Sequence, residues 1–577
     1  MNKLHTIKTA AILFATCLPL GFLFSCSEAD SNLVEYVEDH KLDTPNDSVY
    51  SIVGIIGDLQ KIADRTVLLG ELRGELTTVT DFASTDLQDI ANFQATVQNA
   101  YNQPADYYAV IQDCNYFIAN VDTTITKRGE NIFIREYAAA KAFRAWTYLQ
   151  LALAYGKVPF VDQPLLTEKE ANPGNFPKYD IVDIAKYFIN DLQPYIDTPL
   201  PQYGSLGNGS SSYYFIPVRL LLGDLCLYAG RYEDAARYYH DYLTLLNHTR
   251  PIGVNSVRWY DKDFQSIINS SSSSANITYI PMETSLYDGI ISYLPDIFLS
   301  TEQNNYYYQA TASPALRQLS RAQRYTLVYT DPATQLPDTI SQPEGWNPTN
   351  EDMRGDLRLY SCLTLRSSGT SNSNYSSVRQ TISKFPTTVS SSDSERRSIL
   401  SRVNTYTLVG IYLRYAEALN RAGFPQSAFA VLKYGLWYQT IEKYVSAEER
   451  ERAGDLISFS QYSFTRDNTI GIHSRGSGEA DCDTTYAIPA PDVYVEEMGR
   501  NITTSEDSIL YVENRIADEM ALELAFEGNR FGDLMRISLH RNDPTFLAER
   551  VARRQGTVDA TLYTRLSNTD NWYLPLP

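Results

Sequence analysis

Apolar residues recur at helical spacing in five stretches of the chain, and between them the period vanishes. From Ser48 onward, Ile52, Ile55, Ile56 and Leu59 form one stripe while Asp58, Lys61 and Asp64 lie opposite, which predicts an amphipathic helix. Arg135 to Tyr155 predicts a second. Its alanines (Ala138, Ala139, Ala140, Ala142, Ala145) combine high helix propensity with room for a neighbouring helix to come close. Gly156 and Pro159 then stop it. A third block runs from Pro217 to about Leu246. There Leu222-Gly223-Asp224-Leu225 and Tyr228 precede a Gly230 turn, followed by Ala235, Ala236 and Tyr239. A small residue where helices cross, a tight glycine turn and alanine at the contact resemble a tetratricopeptide helix pair. A related unit spans Tyr412 to Tyr434, and a last helical block covers Asn514 to Leu539. The units do not recur every ~34 residues, so helix pairs packed into one scaffold are predicted in place of a continuous solenoid.

The start of the chain has a different pattern. Lys3 and Lys8 precede an apolar run, Ala10 to Phe24, that contains Pro19. The run is shorter than the ~20 residues of a spanning helix, so it predicts a secretion signal. Ser25-Cys26 at its end resembles the lipobox of bacterial lipoproteins. In such proteins cleavage leaves the cysteine as a lipid-modified first residue, which here makes 1–25 a signal peptide and Cys26 the lipidation site. Acyl chains contribute about 0.8 kcal/mol per buried CH2, enough for several chains to hold a protein on its membrane. Residues 26–47 are polar and acidic, and read as a flexible tether.

Composition narrows the possible partners. The 577 residues carry a net charge of -20, which argues against nucleic acid and against peripheral binding to anionic lipid. Beyond Cys17 in the signal and Cys26, only Cys114, Cys226, Cys362 and Cys482 remain, too scattered for zinc-type spacing or a disulfide framework. Cys114 and Cys226 sit within apolar helical patterns, as small hydrophobes do. Tyrosine outnumbers phenylalanine, 43 to 22, and rings with a polar tip suit half-buried surfaces. Residues 200–216, 265–276, 300–350 and 365–395 are rich in Ser, Asn, Gly, Pro and Tyr. Long aperiodic loops on a rigid scaffold are where binding residues concentrate.

Few residues suggest catalysis. The sequence has no His-Glu-x-x-His, P-loop, dinucleotide fingerprint or Gly-x-Ser-x-Gly elbow. Glu519, Glu523 and Glu527 stand at i, i+4 and i+8. Glycoside hydrolysis needs two carboxylates across a cleft, and one helix stripe straddles nothing. An ion-paired face with Arg515 and Arg530 is expected instead. Glu479, Asp481 and Asp483 alternate in a loop and offer oxygens to a structural calcium ion, against the competing reading of a solvated acidic loop. Trp146, Trp437 and Trp572 are assigned to packing. Sugars present apolar ring faces and hydroxyls, so loop aromatics beside polar groups are ligand candidates: Trp259 and Tyr260, Tyr307 within Tyr306-Tyr307-Tyr308, and Trp346.

Several segments in order resemble the RagB/SusD family of nutrient-binding outer-membrane lipoproteins. They are the lipobox, AAAKAFRAWTYLQLALAYGKVPF (Ala138 to Phe160), Asp356-Leu357-Arg358-Leu359, LRYAEALNRAG (Leu413 to Gly423) and ELAFEGNRFGDLMR (Glu523 to Arg536). Asn529 and Gly532 stand where His and an aromatic are common in that family. The resemblance implies an all-α-dominated fold of tetratricopeptide-like helix pairs with long irregular loops and minor β-hairpins. It implies an N-terminal helical region over 48–250 and a C-terminal region over 251–577 that carries ligand-binding loops. Arg73 and Asp81 become ligand candidates, because the polar segment after the first helix contributes to the ligand face in the family. The implied function is capture of an oligosaccharide, with no enzymatic step and no cofactor, for delivery to a SusC-like TonB-dependent transporter. The protein is then lipid-anchored on the cell outer membrane, facing outward. A surface glycoside hydrolase, or a tetratricopeptide scaffold that binds peptides or only proteins, are the alternatives.

Overall fold

Helix α1, Pro45–Leu72, carries the first apolar stripe and begins three residues earlier than the periodicity predicts. The computed structural model describes residues 45–206, 209–245, 250, 276–282, 290–298, 308–342, 355–368, 377–385, 387–389 and 398–576. All belong to one unit, Asp43–Pro577. The signal, the tether and Cys26 lie outside the described residues, as do Trp259, Tyr260, Tyr307 and Trp346. Among the described residues no helix is long and apolar enough to cross a membrane.

After α1 come β1 (Thr77–Val79), α2 (Thr85–Ala91), α3 (Pro104–Asn120), α4 (Ile134–Tyr155) and α5 (Ile181–Leu192). Helix α4 is the predicted alanine-rich helix, and it is buried on all sides between α1, α3 and α5. Its polar side chains are paired inside the protein: Arg144 with Asp191 at 3.0 Å and with the Asn115 Oδ1 at 2.8 Å, and Lys141 with Asp191. Gly156 ends the helix at φ 72°, and the C-terminal tail closes on it, Leu574 N–H donating to the Ala154 carbonyl at 2.9 Å. Helix α5 is not among the predicted stretches, and α3 is anticipated only by the apolar pattern around Cys114.

The two tetratricopeptide-like pairs form where predicted. Helices α6 (Val218–Tyr228) and α7 (Tyr232–Thr244) turn at Gly230, and a Cβ on Gly223 would lie 2.6 Å from the Tyr239 ring. Then come β2 (Asn276–Pro281), β3 (Ala310–Ala312), α8 (Pro314–Ala322), and the hairpins β4–β5 (Tyr325–Thr330, Pro337–Gln342) and β6–β7 (Leu363–Ser368, Ser377–Ile382). Strand β8 (Arg402–Thr407) pairs antiparallel with β2 and closes this excursion. It leads directly into the second pair, α9 (Leu408–Arg421) and α10 (Pro425–Lys433). Helix α9 packs on α7, so the two pairs are neighbours in space although a long insertion separates them in sequence. The insertion is why no ~34-residue period shows.

The last block differs from expectation. Two short helices, α11 (Tyr438–Tyr444) and α12 (Ala447–Ala453), precede it. The predicted single helix is two, α13 (Ser505–Leu524) and α14 (Arg530–Arg541), broken where Phe526 and Gly528 take φ of 71° and 88°. Helices α15 (Thr545–Ala552) and α16 (Ala560–Leu566) finish the chain, packed with α14 around buried Trp572. The N-terminal helical region and the C-terminal region are bonded to each other. Arg530 on α14 grips Glu75 through both carboxylate oxygens, and Arg554 donates to the carbonyls of Leu72, Gly74 and Ala91.

Candidate functional site

The end of α1 delivers the chain to the surface by a fixed route. Strand β1 pairs antiparallel with β3, Thr77 opposite Ala312 and Val79 opposite Ala310. One residue further on, the Thr80 hydroxyl donates to the Tyr308 carbonyl at 2.5 Å and its N–H to the Gln309 carbonyl at 2.9 Å. The Ser84 N–H donates to Gln309 Oε1 at 2.9 Å, and the Ser84 hydroxyl in turn caps α2 by accepting from the Leu87 N–H. Residues 81 and 82 are thus the tip of a turn held at both ends. Asp81 is exposed there, and Phe82 beside it leaves 49% of its surface in water. A carboxylate accepts hydrogen bonds from hydroxyls, and a ring face with its negative quadrupole attracts polarised C–H groups. The turn that carries Asp81 is held by Tyr308 and Gln309, while Tyr307 lies outside the described residues. Phe82 escaped the sequence reading, although an aromatic next to a flagged acid in a polar segment was its signal.

Arg73 is a correction. It is not on an exposed face: its guanidinium donates to the carbonyls of Leu69 (3.0 Å), Trp572 (3.1 Å) and Leu153 (3.2 Å), and lies 4.2 Å from the centre of the Phe531 ring. A polar residue near a helix end is as useful for holding carbonyls inside as for meeting ligand outside. Burial without a carboxylate partner lowers its pKa to about 10. Glu71 is fully buried too. Burial pushes its pKa up to about 7, although it accepts a hydrogen bond from the Gly528 N–H. The cavity beside Arg73, lined also by Asp224, Tyr406, Arg414 and Arg536, holds only about 80 Å³, too little for a sugar.

The acidic loop is a second correction. Among the described residues no three of His, Cys, Asp and Glu gather as a metal cluster. Glu479 accepts from the Val328 N–H at 2.9 Å, and Asp483 is turned inward to the Thr485 N–H and hydroxyl, while Asp481 is exposed. Glu479 and Asp483 thus already serve different neighbours within the protein.

The glutamate stripe is ion-paired, but buried and with other partners than Arg515 and Arg530. Glu519 meets Arg358 at 2.8 Å and His473 at 2.5 Å. Glu523 meets Arg358 and Arg475, and Glu527 meets Lys384 at 2.7 Å. Burial alone would raise the Glu519 pKa, but Arg358 and His473 hold it down at about 2. Glu519, so held, is ionised and has no proton to give a leaving group. Arg515 turns instead to Glu497 and Asp518. Cys114, Cys226 and Cys362 are buried free thiols, and Cys482 is exposed.

Residues 359–577 match the model of the SusD family. Among solved structures, a SusD superfamily protein of Bacteroides vulgatus aligns over 90% of this chain and 91% of its own at 14% identity, with a TM-score of 0.54. A SusD-like carbohydrate-binding protein of Bacteroides fragilis aligns over 86% and 87% at 15% identity (TM-score 0.51). Bacteroides fragilis NanU aligns over 91% and 95% at 15% identity, also with a TM-score of 0.51. A search of curated protein sequences finds no match. At these identities the structural likeness establishes the fold, and the helix pairs, minor hairpins and long connections are those of that fold. The family's model thus matches the C-terminal part of the chain, residues 359–577, and the SusD-like fold extends over most of its length.

Proposed function

We propose that this protein is a cell-surface lipoprotein that captures an oligosaccharide by non-covalent contact and passes it unchanged to a SusC-type TonB-dependent transporter in the outer membrane. The observation that carries the reading is the pinned turn at Asp81 and Phe82, an exposed ring and carboxylate held at both ends by hydrogen bonds to residues 308–309 and within the turn's own flank. Holding the groups in place before the ligand arrives reduces the ordering cost of binding. The SusD-like fold, shared with a relative described as carbohydrate-binding, supports the ligand class. Acylation of Cys26 supplies the tether, and the polar segment 26–47 gives it reach.

The test is incubation of the purified chain with neutral oligosaccharides, following heat of binding by calorimetry and chain length by chromatography. Binding with every chain length unchanged is the expected result. Shortened products would make the protein a hydrolase, and binding to none of a broad panel would remove the glycan reading.

A further inference from the structure

The segment after α10 forms a second candidate surface, on elements that take no part in the Asp81 turn. Tyr434 at the end of α10 and Tyr444 at the end of α11 stack face to face, centroids 3.6 Å apart and planes 3° from parallel. Trp437, assigned to packing in the sequence, is only half buried and lines the same cleft. Residues between Arg466 and Ser474 line it too, as do Val328 on β4, Glu479, Asp481 and Cys482. The cleft holds about 720 Å³, within the roughly 300–1,000 Å³ of small-molecule sites.

Its walls are fixed by the interior. Gly471 lies against the Lys433 backbone so closely that a Cβ would collide, and Gly435 turns at φ 78° with the Ile470 backbone beside it. Buried Lys433 donates to the Asp483 carbonyl at 2.6 Å. Glu479 is tied to β4 twice, its N–H to the Thr326 carbonyl and its carboxylate to the Val328 N–H, each at 2.9 Å. The groups left facing the opening are of another kind. Gln439, Lys443, Arg466, Asp467 and Asp481 are all exposed. Among the described residues, Gln439, Arg466 and Asp467 make no hydrogen bond or ion pair through their side chains. The lining therefore offers an amide, a guanidinium and carboxylates, planar groups that match vicinal hydroxyls. It offers aromatic wall for apolar faces. Two cations against three carboxylates leave no strong field for an anion or a cation.

From this lining we infer a second saccharide-binding cleft, selective for a short neutral segment of a glycan and independent of the Asp81 turn. An anionic ligand would meet Asp467, Asp481 and Glu479, and a cationic one Lys443 and Arg466, so a neutral polyol is the class that loses least on entry.

The experiment uses the full mature chain carrying Asp81→Ala and Phe82→Ala, which mutes the turn. Maltotriose, cellotriose, xylotriose and mannotriose are titrated by saturation-transfer NMR, with sialyllactose and a chitosan trisaccharide as charged controls. We expect at least one neutral trisaccharide to bind, and Arg466→Ala or Asp467→Ala to weaken it about tenfold or more with the unfolding midpoint unmoved. Trp437→Phe, which keeps an aromatic wall, should retain binding that Trp437→Ala loses. The inference falls if only charged sugars bind, if both polar variants bind as the parent does, or if no neutral sugar binds in this background. In the last case binding that persists in the unmutated chain leaves capture at the Asp81 turn standing.

Discussion

Arg358 and Glu519 stand 161 positions apart in the chain, yet a guanidinium nitrogen of one is 2.8 Å from a carboxylate oxygen of the other, deep in the interior. The same guanidinium chelates Asp356 and reaches Glu523, which Arg475 also grips. These bonds join α13 to the short segment before β6 and to the 472–475 turn, so the last long helix is locked to the insertion and to the base of the cleft wall. Removing one member of such a set leaves its partners charged and dry, which costs about 3–5 kcal/mol. Arg358→Leu is expected to lower the urea midpoint by a corresponding amount at unchanged slope. A midpoint equal to that of the parent would mean that water, and not Arg358, satisfies these carboxylates.

Gly70 and Gly528 make a second long-range lock. Gly70 lies within α1, and a Cβ there would overlap the Gly528 carbonyl group. Gly528 has φ 88°, and a Cβ on it would come 2.6 Å from Val67 Cα. Backbone meets backbone, so neither neighbour has a flexible end to move. Gly528→Ala adds left-handed strain of about 1–3 kcal/mol to the collision. Gly70→Ala meets the closer contact, directly on the Gly528 carbonyl oxygen, and should destabilise more than Gly528→Ala despite its helical φ. Thermal melts of the two variants order them, and the reverse order would show that the crossing opens easily.

How far the sequence anticipates this structure depends on the range of each signal. The alanines of α4 and the Gly230 and Gly423 turns mark helix pairs because the contacts they serve are local or nearly so. The β2–β8 pair is invisible, since Asn276 and Thr407 meet across an excursion with no turn residue to announce it. The Glu519–Glu523–Glu527 stripe announces ion pairs but not partners drawn from positions 358, 384, 473 and 475. Arg73 shows the reverse error, a polar residue read as surface that is polar because carbonyls surround it. At the candidate site, Asp81 is expected only through the family resemblance, whereas the bonds that hold its turn come from Tyr308 and Gln309. Trp437 is ambiguous in principle, because a half-buried ring both packs and lines a cleft.

Two buried acids set the pH dependence. Burial raises Glu71 from 4.5 to about 7 and Asp64 from 3.8 to about 6. For each, the folded state holds a proton that the unfolded chain releases. The stability they contribute is complete below the unfolded values and is lost as pH rises through about 6 to 7. Glu519 has the opposite sign: lowered from 4.5 to about 2, its contribution is present above 4.5 and lost as pH falls through about 2. The melting temperature should therefore be higher near pH 5 than near pH 8, and Glu71→Gln should flatten the decline on the alkaline side. A melting temperature that climbs steadily from pH 5 to pH 8 contradicts this assignment.

The Asp81 turn separates ligand contact from ligand positioning. Asp81 and Phe82 are exposed, so Asp81→Ala and Phe82→Ala should change stability by no more than about 0.5 kcal/mol. If the turn grips sugar, each should still weaken binding, Phe82→Ala by about tenfold, or about 1.4 kcal/mol. Thr80 is held differently. Its hydroxyl donates to the Tyr308 carbonyl and accepts from the Phe82 N–H, so Thr80→Val keeps the shape of the side chain, removes both bonds and leaves the side chains of Asp81 and Phe82 unchanged. A weaker affinity in Thr80→Val, measured by calorimetry on the same oligosaccharide, means that the orientation of the turn is part of recognition. Unchanged affinity in Thr80→Val with loss in Phe82→Ala means the ring alone suffices, and unchanged affinity in all three variants moves the site elsewhere on the molecule.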